Sequence, residues 1–312
     1  MSVKAAEDNP FQLLIQETNN DPAQLQARYE SHRVNRNKQQ STTILSENFP
    51  GWSLDEILKR LDGPEKEDGF VDPRNCLVIW AKPPPHIRDM VAFVQNELKD
   101  VAPSLWFMPS ENLHTTVLEV AHSLTKEQIG NLVHILESSE KMSPAQIVEY
   151  PLTHQAPLLK PMISFDSAAM ALSFVPAAGE ASNEQGNAGS HSDQYTYHHL
   201  RGDVFDMVRQ AGIPVASRYI YPSAHLTIAR FINHDGFSVK GTEGNEVDRS
   251  RVKLLIDRIT EINQKLENEF WPRVDGSIPD GGEWIVGRDR GFVIQRGRLW
   301  YGGGDSETLA YA

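Results

Sequence analysis

Cysteine is almost absent. Cys76 is the single one in 312 residues, which excludes an intramolecular disulfide and leaves no basis for a Cys-built metal site. Long apolar runs are missing too, since nothing approaches the roughly 18 consecutive residues of a membrane span, and no membrane partner is expected. The first 30 residues carry acids and no apolar core of signal-peptide type. The expectation is a soluble intracellular protein, cytoplasmic or nuclear. Positive charge is short as well: 30 Lys and Arg stand against 42 Asp and Glu, for a net charge of −12. A long groove for duplex DNA needs many cationic contacts to phosphates, so duplex DNA is not expected as a partner. A small or terminal phosphate remains open. Gly302-Gly303-Gly304 has neither a helix nor Lys-Ser after it, so a phosphate-loop reading fails. Hydrophobic residues at 39% and aromatics at 8% indicate polar loops or tails around an ordinary globular centre.

What the chain does have is one short pattern written twice. His114-Thr115-Thr116 and His225-Leu226-Thr227 each head an apolar run. The bare tripeptide is weak in a chain with 11 His, but the flanks agree. Ser110-Glu111-Asn112-Leu113 leads into the first and Val117-Leu118-Glu119-Val120 continues it; Pro222-Ser223-Ala224 leads into the second, followed by Ile228-Ala229-Arg230-Phe231-Ile232. Turn residues before and β-formers after predict two strands. In a strand the side-chain period is 2, so each His and the Thr two places on share a face.

Around these motifs the pattern is α+β. Residues 1–70 are polar and helical, with helices expected over 22–40 and 53–61, and read as an N-terminal extension apart from the catalytic core. Residues 63–69 read as a linker. From 75 the order is strand, helix, strand, strand, helix, the last over 126–137 with Thr125 as N-cap. Further strands are expected at 145–150, 161–165 and 169–175, helices at 195–210 and 251–269, and a terminal hairpin of 283–286 with 291–300. Residues 177–194, rich in Ala, Gly, Ser, Asn, Glu and Gln, read as a disordered loop, and 305–312 as a tail.

Asn112-Leu113-His114-Thr115-Thr116-Val117 and Ala224-His225-Leu226-Thr227-Ile228-Ala229-Arg230 resemble the two motifs of the 2H phosphoesterase superfamily, which includes 2′-5′ RNA ligase-like and 2′,3′-cyclic nucleotide phosphodiesterase proteins. The resemblance implies, over 71–304, two pseudo-symmetric lobes, each an antiparallel sheet with covering helices, facing across a central cleft with one motif on each wall. It implies hydrolysis of a 2′,3′-cyclic phosphate on a small nucleotide or an RNA end. Such a reaction needs a base and an acid with pKa near working pH, roles for His114 and His225 in either order. Thr116 and Thr227 would hold the phosphoryl oxygens. No metal or cofactor is called for. Ligation or hydrolysis of 2′-5′ linkages could use the same four residues, and a non-catalytic nucleotide-binding module stays open as a third reading, with the N-terminal extension serving a protein partner.

Other residues are weighed against simpler roles. Tyr219, Tyr221 and Phe231 flank the second motif and are candidates to stack on a nucleobase, against an ordinary core role. By parity Arg230 falls on the strand face opposite His225, where a salt bridge is the simpler role. His198-His199 and the pair His122 and His134 lack a completing acid, so capping or solvated roles are preferred to metal binding.

Overall fold

The computed structural model describes residues 9–180, 194–239, 246–298 and 306–312. Helix starts are set by caps. Asn9 and Asp21 accept backbone N–H bonds ahead of prolines that open α1 (Pro10–Glu17) and α2 (Pro22–Ile44), and Asp55 caps α3 (Glu56–Leu61). Then come β1 (Asn75–Ala81), α4 (Pro85–Lys99), β2 (Trp106–Phe107), β3 (Thr115–Leu124) and α5 (Lys126–Glu137). The second half runs α6 (Pro144–Thr153), β4 (Ala156–Phe165), β5 (Ala169–Pro176), α7 (Tyr197–Gln210), β6 (Ala224–Arg230), α8 (Arg249–Phe270), β7 (Trp284–Val286), β8 (Val293–Gly297) and β9 (Ser306–Tyr311).

This is an α+β arrangement in which the strands join one antiparallel sheet, in the order β7-β4-β5-β6-β3-β1-β8-β9 with β2 attached to β6. The two motif strands meet where β3 pairs with β6 at Thr115 opposite Leu226, and β2 extends the join by pairing with β6 at Trp106–Arg230 and Phe107–Ala229. The helices close over the sheet with apolar stripes at the 3–4 spacing of an amphipathic helix: α8 buries Val252, Leu255, Ile256, Ile259, Ile262 and Leu266. No helix among the described residues is long and apolar enough to cross a membrane.

Several expectations change. Residues 145–150 are helical, because Ser143 and Gln146 form a capping box with Pro144 at the first position, a start signal that outweighs the β-branched pair Ile147-Val148. The terminal hairpin dissolves into separate pairings: β7 lies on β4, while β8 lies between β1 and β9. Residues 306–311, expected as tail, are thus an edge strand. The N-terminal extension is not set apart. Phe11, Leu25 and Tyr29 are buried at 0–1% exposure, each worth about 1.5–3 kcal/mol of apolar burial, and α2 packs across β4 and β5. A register shift between Leu159 and Met162 interrupts the β4–β5 ladder, and Arg33 of α2 docks there, donating to the Lys160 and Ser173 carbonyls at 2.6 and 3.2 Å. Most of the low-complexity stretch at 177–194 lies outside the described residues, as does Gly302-Gly303-Gly304.

His198 closes the join between the N-terminal helices and α7. Its Nε2–H donates to the Phe11 carbonyl at 3.0 Å, so Nδ1 accepts from the Tyr29 hydroxyl at 2.9 Å. Burial holds this neutral ring down to about 3, below the ordinary value near 6.5. The folded state therefore binds fewer protons than the unfolded chain between those values, and stability present above pH 6.5 is lost as pH falls. The expected loss is about 2 kcal/mol at pH 5, or about 3 °C in Tm. His198→Gln keeps both bonds without titrating, so melts at pH 7.5 and 5.0 should show a smaller acid loss in the variant. Equal losses would refute this account.

Candidate functional site

The β3–β6 contact arranges the two motifs. Thr115 faces Leu226 in antiparallel register, so one step to either side sets His114 across from Thr227 and Thr116 across from His225. The four side chains form a square on one sheet face. Cross-strand neighbours have Cβ atoms about 4.5–5.5 Å apart and diagonal ones about 7–8 Å, which puts the two imidazoles on a diagonal wide enough to straddle one phosphoryl group. All four line a cavity of about 260 Å³ together with Trp80, Glu119, Arg218, Tyr219 and Arg230. A second compartment of about 300 Å³ shares Thr116, His225 and Thr227 and extends toward α2.

Each imidazole is fixed through Nδ1. His114 Nδ1–H donates to the Asn112 carbonyl at 2.7 Å, and the ring lies on Trp80 with centroids 3.9 Å apart at 22°. His225 Nδ1 meets the Ser223 hydroxyl at 2.9 Å. These partners leave Nε2 of each ring for the cleft. Both side chains are half-buried, and burial favours their neutral forms. His114 is held down to about 3, with Lys82 and His225 adding to the effect, and His225 down to about 4, with Arg201, Arg36, His32 and Arg230 adding to it.

The aromatic candidates part company. Tyr219 is 39% exposed and stands 6.1 Å from the His225 ring, lining both compartments, and Tyr221 is 62% exposed at the rim of the second. Phe231 is 1% exposed and stacks flat on Trp52 at 3.9 Å, which removes it as a base platform. One irregularity explains this. Along β5, Met170 faces Ala229 but the next residue, Ala171, faces Thr227, so Ile228 is an extra residue in the ladder and the alternation flips beyond it. Phe231 turns into the core, and Arg230, expected on the far face, turns into the cleft and pairs with Asp55 at 3.2 Å.

The first strand carries the same device. Ile79 faces Leu118 and Trp80 faces Thr116, so Val117 is extra and Glu119 joins Thr116 in the cleft. Glu119, 4% exposed, receives Arg218 through Nε and Nη2 at 3.0 and 2.5 Å. Strict period-2 counting could find neither Glu119 nor Arg230. A third missed set, His32 and Arg36, stands one turn apart on α2, and the i, i+4 spacing was its only signal.

Among the described residues no three of His, Cys, Asp and Glu converge as a ligand set for a metal. His199 closes the capping box of α7 with Thr196, and His198 bridges Phe11 and Tyr29.

No family model and no curated protein matches the chain. Among solved structures it is similar to the crystal structure of the conserved protein of unknown function ATU0111 from Agrobacterium tumefaciens str. C58. The identity is 10% over 84% of this chain and 94% of that one, with a TM-score of 0.44.

Proposed function

We propose that the chain is a metal-independent phosphodiesterase that opens a 2′,3′-cyclic phosphate by two-histidine acid/base catalysis, with the two halves of the sheet serving as the lobes of a 2H phosphoesterase-like cleft. The observation that carries this reading is the square of His114, Thr116, His225 and Thr227 set by one cross-strand register. One imidazole Nε2 takes the proton of the attacking water; the other delivers a proton to the departing ribose oxygen. The ribose oxygen leaves with that proton, and the water oxygen stays on phosphorus. The Thr116 and Thr227 hydroxyls donate to the phosphoryl oxygens as charge builds, and Tyr219 offers a face to the adjoining nucleoside.

The test is hydrolysis of 2′,3′-cyclic AMP by the wild-type protein in the presence of EDTA, followed by phosphorus NMR. Turnover to a single phosphomonoester isomer is expected. A folded protein that turns over no cyclic phosphate, or does so only with a divalent cation restored, would overturn the proposal.

A further inference from the structure

The two compartments of the cleft share arginines and differ in their outer wall. The one beneath Trp80 sets Arg74, Arg218 and Arg230 against Asp55, Asp72 and Glu119. The other is lined by His32, Arg33, Arg36, Arg201, Arg218 and Arg230, with Arg33 paired to Glu30, Arg36 to Asp166, Arg218 to Glu119 and Arg230 to Asp55. At about 300 Å³ this compartment is, without its neighbour, near the lower end of ligand pockets.

Its outer wall is α2. Arg33, 4% exposed, fixes that helix to the sheet through the Lys160 and Ser173 carbonyls and pairs with Glu30. His32 and Arg36 are thereby presented to the cleft. The His32 ring lies nearly parallel to Tyr221, 11° apart with centroids at 6.0 Å, and Arg36 pairs with Asp166 at the β4–β5 turn.

We propose that this compartment holds the nucleotide next to the reacting phosphate, so that the substrate is an RNA end of two or more nucleotides. The base of that nucleotide rests on the His32–Tyr221 rings and its phosphate meets Arg36. An aromatic platform accepts any base, and a guanidinium matches phosphate geometry. The inference rests on the two-histidine reading of the central square.

The experiment compares kcat/KM for the dinucleotide ApA ending in a 2′,3′-cyclic phosphate with that for 2′,3′-cyclic AMP. It uses wild type, His32→Ala, Arg36→Ala and the double variant, with melting curves as the folding control. Wild type should favour the dinucleotide by about tenfold or more, and the double variant should bring the ratio near one. A wild-type ratio near one, or a ratio that the variants leave unchanged, would overturn the subsite. If wild type turns over neither compound, the two-histidine reading falls. Fluorescence polarisation with 5′-labelled ApA 3′-phosphate then decides the subsite: weaker binding in the variants upholds it, and equal binding ends it.

Discussion

His114→Ala and His225→Ala should each lower kcat/KM on a 2′,3′-cyclic phosphate by about 10²–10⁴-fold, the span that general acid or base catalysis supplies. Neither change should unfold the protein. Both side chains are half-buried at the cleft wall, and His114 gives up chiefly its stacking on Trp80, worth about 0.5–1.5 kcal/mol. The pH profile carries more information than the loss. With the rings held down to about 3 and about 4, both are neutral at pH 7 in the empty cleft, so the base is ready and the acid is scarce. Since kcat/KM reports the free protein's ionisations, wild-type activity should peak on the acid side of 6.5 and fall as pH rises from 6 to 8. The variant that has lost the acid should lose that alkaline fall, while the variant that has lost the base should keep it. The same pair of profiles therefore names the roles that the symmetric square leaves open. A wild-type profile that is flat or rises from pH 6 to 8, with both variants near wild-type rate, would remove the histidines from the chemistry.

Local signals explain how far the sequence could be read. The flanks of His114 and His225 mark two strands, and the cavity collects His114, Thr116, His225 and Thr227; the one-residue contact of β3 with β6 that sets their register is long-range and left no local trace. Period-2 counting works within a regular ladder, and it failed beyond Ile228 and Val117, where one extra residue moves Arg230 and Glu119 into the cleft and Phe231 out. The polar composition of α2 suggested an appendage because only one stripe of it is apolar. That stripe, Leu25 and Tyr29 with Arg33, is buried, and the opposite inference was available only from the i, i+4 order of those residues.

Arg201→Met should cost about 3–5 kcal/mol and lower Tm by about 5–8 °C. Arg201 is 1% exposed and serves three backbone carbonyls: Nε donates to Val117 at 3.1 Å, Nη1 to Tyr221 at 2.8 Å, and Nη2 to Tyr219. Its guanidinium also lies over the Phe11 ring at 4.4 Å. Methionine fills most of the volume but offers no donor, so the buried Val117 carbonyl is left unpaired at about 1–3 kcal/mol, and the charged hydrogen bonds to the part-buried Tyr219 and Tyr221 carbonyls are lost as well. The loss also has a direction. The Val117 carbonyl belongs to the extra residue of β3, and the Tyr219 and Tyr221 carbonyls belong to the segment entering β6. One side chain therefore ties both motif strands to α7, and through Phe11 to the N-terminal helix. Arg201→Lys keeps the charge with a single nitrogen that cannot span three acceptors, so it should recover only part of the loss. Both variants should loosen the Tyr219–Tyr221 segment before the sheet, seen as faster amide hydrogen exchange there than in β1. If Arg201→Met melts within 2–3 °C of wild type, or exchange rises evenly across the sheet, the three carbonyls find other partners and this arginine is not what holds the two motifs in register.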